Sequence, residues 1–138
     1  MLIEKCEKYY GKEYDLNCAE CMLYSANDEY NLGIDSNGLR LAAGFGGGMA
    51  VEDVCGALTG AVMVLGNMFV EVRGHESDRI KTLTKEYIER FNEKLKTINC
   101  KELKALYRDD DKRCSDIIMA AGKILDAIIK RENANNTL

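Results

Sequence analysis

The sequence contains no proline and no tryptophan, and His75 is its single histidine. Proline breaks helix interiors and is frequent in turns, so its absence favours uninterrupted helices over an architecture with many turns. His75 lies beside a predicted turn, where we expect a surface residue, and no second histidine could serve as the base for a nucleophile. These absences favour an all-α fold and argue against catalysis by a nucleophile–histidine pair.

The chain also lacks an excess of positive charge. Its 19 Lys and Arg residues stand against 23 Asp and Glu, a net charge of −4. A nucleic-acid-binding surface needs clustered basic residues, so we expect no nucleic acid partner.

Residues 1–8 (MLIEKCEK) lack the apolar segment of a signal peptide, which predicts a cytoplasmic location. In that reducing compartment, six cysteines indicate redox chemistry or metal binding rather than structural disulfides.

Apolar periodicity and capping residues predict one all-α domain over residues 1–138, a bundle of about five to six helices. The main helices are expected at about 2–10, 17–32, 53–70, 77–98 and 114–130, with shorter helical segments over 36–43 and from 99. Favourable N-cap residues precede several of them: Asn17, Asp53, Ser77 or Asp78, and Asn99. Gly33 is expected to end the second helix, and the polar residues 131–138 are expected to fray.

The predicted fourth helix carries no charge between Val54 and Val70. Seventeen residues, diluted by Thr59, Asn67 and glycines, are at the short limit for a bilayer span, so we expect a central buried helix and no membrane span. The four-residue spacing of two of those glycines allows a neighbouring helix to approach closely. The same apolar helix would also suit a homodimer interface.

Four cysteines stand where predicted helices begin: Cys18, Cys55, Cys100 and Cys114. Unpaired backbone N–H groups and the positive end of the helix dipole stabilise a thiolate there, which lowers the pKa of a cysteine from about 8.5. Carboxylates nearby in sequence, such as Glu52, act in the opposite direction. We therefore expect the four thiols to form the functional site, provided that their helix ends meet.

Two further cysteines have weaker signals. Cys18 and Cys21 form the only C-x-x-C motif, and within a helix this spacing puts both sulfurs on one face, as in dithiols and metal sites. Cys6 is expected to be a small buried hydrophobic residue. The glycine-rich stretch at 44–49 lacks the Lys-Ser/Thr ending of a phosphate-binding loop, so nucleotide binding is not expected.

The segments 17–20 (NCAE), 44–49 (GFGGGM) and 55–60 (CGALTG), followed by Cys100 and Cys114, resemble the C-GCAxxG-C-C family of redox-active proteins of prokaryotes. The resemblance covers most of the chain. It implies a redox role, and the four cysteines of the family pattern correspond to the four selected above. The acidic pair before Cys55 departs from the pattern.

Three functions are compatible with these residues. The first is thiol–disulfide exchange or electron transfer without a required cofactor, in which one thiolate, foremost Cys55, attacks and another of the four cysteines resolves the mixed disulfide. Its partner would be a redox protein or a small thiol. The second is a zinc or iron–sulfur site held by the four cysteines, with Cys21 as a further candidate ligand. The third is a helical binding protein with buried, inert cysteines.

Overall fold

The computed structural model describes residues 1–136 and contains seven α-helices and no β-strand within that range. The helices are α1 (Leu2–Tyr9), α2 (Cys18–Tyr30), α3 (Ser36–Leu39), α4 (Gly56–Phe69), α5 (Asp78–Leu95), α6 (Cys100–Tyr107) and α7 (Ser115–Asn136). The predicted all-α domain is confirmed, with seven helices where about five to six were expected. In this described part of the chain, no helix has both the length and the apolar character needed to cross a bilayer.

Side chains predicted as N-caps form the expected hydrogen bonds at three helices. The Asn17 side chain accepts a hydrogen bond from the Glu20 N–H at 2.9 Å, and the Glu20 carboxylate accepts one from the Asn17 N–H at 3.0 Å. Asn99 accepts a hydrogen bond from the Glu102 N–H at 3.0 Å, and Ser77 caps α5 in the same way. These bonds satisfy N–H groups that have no partner inside the helix, so they determine where α2, α5 and α6 begin.

Two predicted helix boundaries are wrong. Helix α4 begins after Cys55 and is not capped by Asp53, because the Asp53 carbonyl accepts a hydrogen bond from the Cys100 N–H at 2.5 Å and the chain there is not yet helical. Helix α2 ends at Asn31, which adopts the left-handed conformation (φ 54°), two residues before the expected stop at Gly33. Asparagine tolerates this conformation better than most residues do.

The predicted third helix, residues 36–43, is divided into α3 and a 3₁₀ segment (Arg40–Phe45). Asp35 caps α3 by accepting a hydrogen bond from the Gly38 N–H at 2.9 Å. Near the end of the 3₁₀ segment, the Asn17 side-chain amide donates a hydrogen bond to the Ala43 carbonyl at 2.9 Å. This bond fastens the segment to the start of α2.

Helix α7 continues beyond Lys130 to Asn136, so it is longer than predicted. Glu132, within the expected frayed tail, pairs with Arg79 of α5 at 3.0 Å. This contact ties the last turns of α7 to a neighbouring helix, which local sequence cannot reveal. Residues 137 and 138 of the predicted tail lie outside the described residues.

The core lies between α1, α2, α4, α5 and α7, and helix α4 packs against three of these helices: α2, α5 and α7. The Tyr87 hydroxyl donates a hydrogen bond to the Ala121 carbonyl at 2.9 Å, which satisfies a polar group inside the α5–α7 contact. The largest fully buried side chains include Tyr87, Phe91, Leu2, Met22, Leu65, Leu103, Ile117 and Ile118.

Glycine sets the distance between α4 and α2. A Cβ atom added at Gly60 would lie 2.7 Å from the Ala19 carbonyl oxygen and 2.9 Å from Met22 Cβ. Neither neighbour can move without shifting the α2 backbone, so the two helices approach closely only because Gly60 has no side chain.

We therefore expect Gly60→Ala to lower the free energy of unfolding by about 1–3 kcal/mol, the usual cost of overpacking a core. Gly66→Ala is the matched control, because it lies in the same helix and a Cβ added there would meet nothing within 4 Å. It should stabilise the protein by up to about 1 kcal/mol through helix propensity. Urea denaturation of both variants measures the difference, and equal midpoints would contradict the close α2–α4 contact.

Candidate functional site: four cysteines around one cavity

All four cysteines selected from the sequence line a single cavity of about 220 Å³. Cys18 and Cys100 are the first residues of α2 and α6, while Cys55 and Cys114 immediately precede α4 and α7. The four helix starts therefore converge, as the site prediction required. The remaining lining residues are Tyr10, Leu16, Asn17, Gly47, Gly56, Leu103, Lys104, Arg108, Arg113 and Ile117.

Backbone hydrogen bonds bring Cys55 and Cys100 together. Val54 and Asn99 form an isolated antiparallel bridge between the segments that precede α4 and α6. On either side of it, the Cys55 N–H donates to the Ile98 carbonyl at 2.9 Å, and the Cys100 N–H donates to the Asp53 carbonyl. Two cysteines distant in sequence thus enter their helices side by side.

Gly48, which belongs to the glycine-rich stretch and begins the irregular turn Gly48–Glu52, leaves room for this bridge. It has a φ of 63°, and a Cβ added there would lie 2.4 Å from the Asp53 nitrogen and 2.8 Å from Cys100 Cβ. Both the left-handed conformation and the missing side chain are therefore needed at Gly48. Gly48 thus packs closely beside Cys100.

Cys18 reaches the same cavity through the α2–α4 contact. A Cβ added at Gly56 would lie 3.2 Å from the Ala19 nitrogen and 3.4 Å from Cys18 Cβ. The residue that follows Cys55 is thus in contact with the first turn of α2. The two glycines of the 55–60 segment, Gly56 and Gly60, both serve to place α4 against α2.

Cys114 is held at the start of α7 by Tyr10, the residue that follows α1. The Cys114 N–H donates a hydrogen bond to the Tyr10 hydroxyl at 3.0 Å. The Arg113 guanidinium donates a hydrogen bond to the Tyr10 carbonyl at 2.7 Å and lies over the Tyr10 ring, 4.2 Å from its centroid. These contacts fix the entry to α7 against the end of α1.

Cys114 and Cys18 form a polarised pair. A hydrogen bond from the Cys18 thiol lowers the pKa of Cys114 to about 6, with further lowering from the charges of Arg108 and Lys104 and from the Tyr10 hydroxyl. The same hydrogen bond, together with burial, raises the pKa of Cys18 well above its usual value. The interaction between the two thiols therefore favours the ionised form at Cys114 and the protonated form at Cys18.

The other two cysteines do not follow the expectation of a lowered pKa. Burial raises the pKa of Cys55 to about 11, although the N–H groups of Ala57 and Leu58 act in the opposite direction. Burial also raises the pKa of Cys100, against the charge of Lys104. Removal of a thiolate from water outweighs the favourable position at a helix start. Of the four thiols at helix starts, Cys114 alone has a lowered pKa.

Sequence reasoning missed three residues that lower the pKa of Cys114: Tyr10, Lys104 and Arg108. It also missed Arg113, which lines the cavity. Lys104 is four residues after Cys100 on α6, one helical turn away, and this spacing could have suggested it. The two arginines flank the acidic run 109–111, and their neighbours in sequence say nothing of the cavity.

Cys6 and Cys21 lie away from the cavity. The Cys21 thiol donates a hydrogen bond to the Cys6 carbonyl at 3.6 Å, and burial raises the pKa of Cys21 to about 12 and of Cys6 to about 11. The C-x-x-C motif therefore does not place both its thiols at the cavity.

Within residues 1–136, no three His, Cys, Asp or Glu side chains are grouped so that they could hold a metal ion. His75 is exposed, as expected.

We expect Cys114 to be alkylated by iodoacetamide at neutral pH far faster than the other cysteines. Its rate should rise as the pH passes about 6 and then level off, because the thiolate is the nucleophile. Cys18→Ala removes the hydrogen-bond donor and should move the midpoint upward by about one to two pH units, the equivalent of a hydrogen bond to a charged group.

Cys18→Ser is the matched control, because its hydroxyl still donates a hydrogen bond and the midpoint should stay closer to 6. Mass spectrometry of the alkylated peptides assigns each rate to a residue. A midpoint for Cys114 near that of an ordinary thiol in the unsubstituted protein would contradict the polarised pair.

The comparison with protein families identifies the chain. Residues 16–128 match the family described as "Putative redox-active protein (C_GCAxxG_C_C)". A search of the curated proteins and a search of the solved structures found no match. The matched range includes all four cavity cysteines and both glycines that place α4 against α2. The chain belongs to the C_GCAxxG_C_C family.

Proposed function

We propose that the protein carries out thiol–disulfide exchange, with Cys114 as the attacking thiolate and Cys18 as the resolving thiol. The observation that carries this proposal is the pairing of Cys18 with Cys114 in the lining of one cavity, where their interaction shifts the two thiol pKa values in opposite directions. These shifts favour a thiolate at Cys114 and a protonated thiol at Cys18, which is the starting state that exchange requires.

In the first step, the Cys114 thiolate attacks one sulfur of a substrate disulfide. A bond forms between Cys114 and that sulfur, the substrate sulfur–sulfur bond breaks, and the second substrate sulfur leaves as a thiolate that takes up a proton. The positive charges of Lys104 and Arg108, which stabilise the Cys114 thiolate, also stabilise the leaving thiolate in the same cavity.

In the second step, Cys18 loses its proton and attacks the Cys114 sulfur. The mixed disulfide breaks, the remaining substrate sulfur leaves as a thiolate, and a Cys18–Cys114 disulfide remains. Once Cys114 is in the mixed disulfide, it no longer bears the charge that raised the pKa of Cys18, so Cys18 ionises more readily. Two electrons pass to the substrate, and a thiol reductant restores the pair.

The pKa directions favour Cys114 over Cys55 as the attacking thiol. Cys55 remains protonated at neutral pH because burial raises its pKa to about 11. Cys55 and Cys100 line the same cavity and are adjacent through the Val54–Asn99 bridge. They are placed to act as a second dithiol that accepts the disulfide from the first.

We expect the reduced protein, treated with hydroxyethyl disulfide, to lose two hydrogen atoms in intact mass and to yield a Cys18–Cys114 bond in peptide mapping. Cys18→Ser should accumulate the mixed disulfide on Cys114, because the thiol that resolves it in this proposal, Cys18, has been removed. Cys114→Ser should form neither product.

Cys21→Ser is the control, since Cys21 does not line the cavity and its loss should leave the reaction intact. Formation of the disulfide by Cys114→Ser at the rate of the unsubstituted protein would overturn the proposal. A stoichiometric metal or cluster in the native mass of anaerobically purified protein, lost on substitution of these cysteines, would favour a cysteine-ligated metal site instead.

A further inference from the structure

The charged side chains that line the cavity are all basic. Lys104, Arg108 and Arg113 contribute to the lining, and no Asp or Glu does. The nearest ion-pair partner is Glu52, which lies 3.5 Å from Lys104 and is itself outside the lining. The cavity therefore attracts anions, although the chain as a whole is acidic with a net charge of −4.

Arg113 has an unused donor in this wall. Its Nη2 donates a hydrogen bond to the Tyr10 carbonyl, but its Nε is buried and has no hydrogen-bond partner among the described residues. A buried donor without a partner is costly and rare in proteins. Arg113 also has a φ of 54°, a conformation that is unfavourable for arginine. Arg113 lines the cavity, so its positive charge is available to an anionic group bound there.

Size and burial restrict what can reach the sulfurs. Cys114 is 8% exposed and Cys55 is 4% exposed, so a disulfide on the surface of a folded protein cannot readily be presented to them. The cavity of about 220 Å³ is small for a ligand site. By proportion with a cavity of about 150 Å³ that holds benzene, it accommodates roughly nine non-hydrogen atoms.

We propose that the substrate is a low-molecular-weight anionic disulfide, a compound in which carboxylate or sulfonate groups flank a sulfur–sulfur bond, and that Arg113 and Arg108 bind its anionic groups beside Cys114. This inference rests on the proposed function. The Cys114 thiolate displaces one anionic thiolate from the disulfide, and Cys18 displaces the second. One anionic disulfide and two protein thiols thus become two anionic thiols and one protein disulfide, with two electrons transferred.

Three probe disulfides of similar size and different charge test it: dithiodiglycolate (anionic), hydroxyethyl disulfide (neutral) and cystamine (cationic). Each rate of oxidation of the reduced protein is divided by the rate of the same disulfide with 2-mercaptoethanol, which removes differences in intrinsic reactivity. We expect the normalised rate of the anionic probe to exceed that of the cationic probe by roughly tenfold or more, as electrostatic attraction in a cleft allows. The preference should shrink in 1 M salt, where the Debye length is about 3 Å.

Arg113→Gln should reduce the ratio of anionic to cationic rates several-fold, while Arg113→Lys, which keeps the charge, should retain most of it. Arg108→Gln provides a second test that does not depend on the packing of Arg113 against Tyr10, because Arg108 is exposed. Lys101→Gln is the control, because Lys101 is an exposed residue of α6 that does not line the cavity. This substitution should leave the ratio of anionic to cationic rates unchanged.

Equal normalised rates for the three probes, or a ratio that survives both arginine substitutions, would overturn the anionic substrate and leave thiol–disulfide exchange intact. Failure of all three probes to oxidise the protein would instead contradict the proposed function. A faster reaction with the disulfides of insulin than with dithiodiglycolate would overturn the small-molecule assignment and favour a protein substrate.

Discussion

The backbone of α4 lies directly against that of α2, and the position of the four cysteines depends on this contact. Gly56 and Gly60 are the residues that permit it, because a side chain at either position would meet the α2 backbone. The contact brings the start of α4, with Cys55, to the start of α2, with Cys18. The antiparallel bridge before α4 then brings α6 to the same place. The glycines of the 55–60 segment thus have a structural role of their own, which is to place its cysteine at the cavity.

The four cysteines share a location but not an electrostatic environment. Each lies at a helix start, where N–H groups and the helix dipole favour a thiolate, yet burial raises the pKa of Cys55 and Cys100. Cys114 differs because a thiol, a tyrosine hydroxyl and two basic side chains all stabilise its ionised form. One thiol of the cavity thus has a lowered pKa and the other three have raised pKa values, and this contrast is the basis of the proposed exchange reaction.

The charge of the cavity is opposite in sign to that of the chain. We expect the basic lining, and not the acidic chain as a whole, to draw anions toward Cys114. In the proposed reaction, Arg108 both lowers the pKa of Cys114 and binds the anionic substrate. Activation of the thiolate and selection of the substrate would then share this side chain.

The sequence by itself determined the helical class, the capped starts of α2, α5 and α6, and the identity of the four cysteines, because caps, apolar periodicity and glycine spacing act over a few residues. It did not determine the start of α4, where a hydrogen bond from Cys100 replaces the expected cap at Asp53. Nor did it identify Tyr10, Arg108 and Arg113, or Cys114 as the cysteine with the lowered pKa. The tertiary structure alone decided these, since burial and charge at a thiol depend on which distant segments surround it.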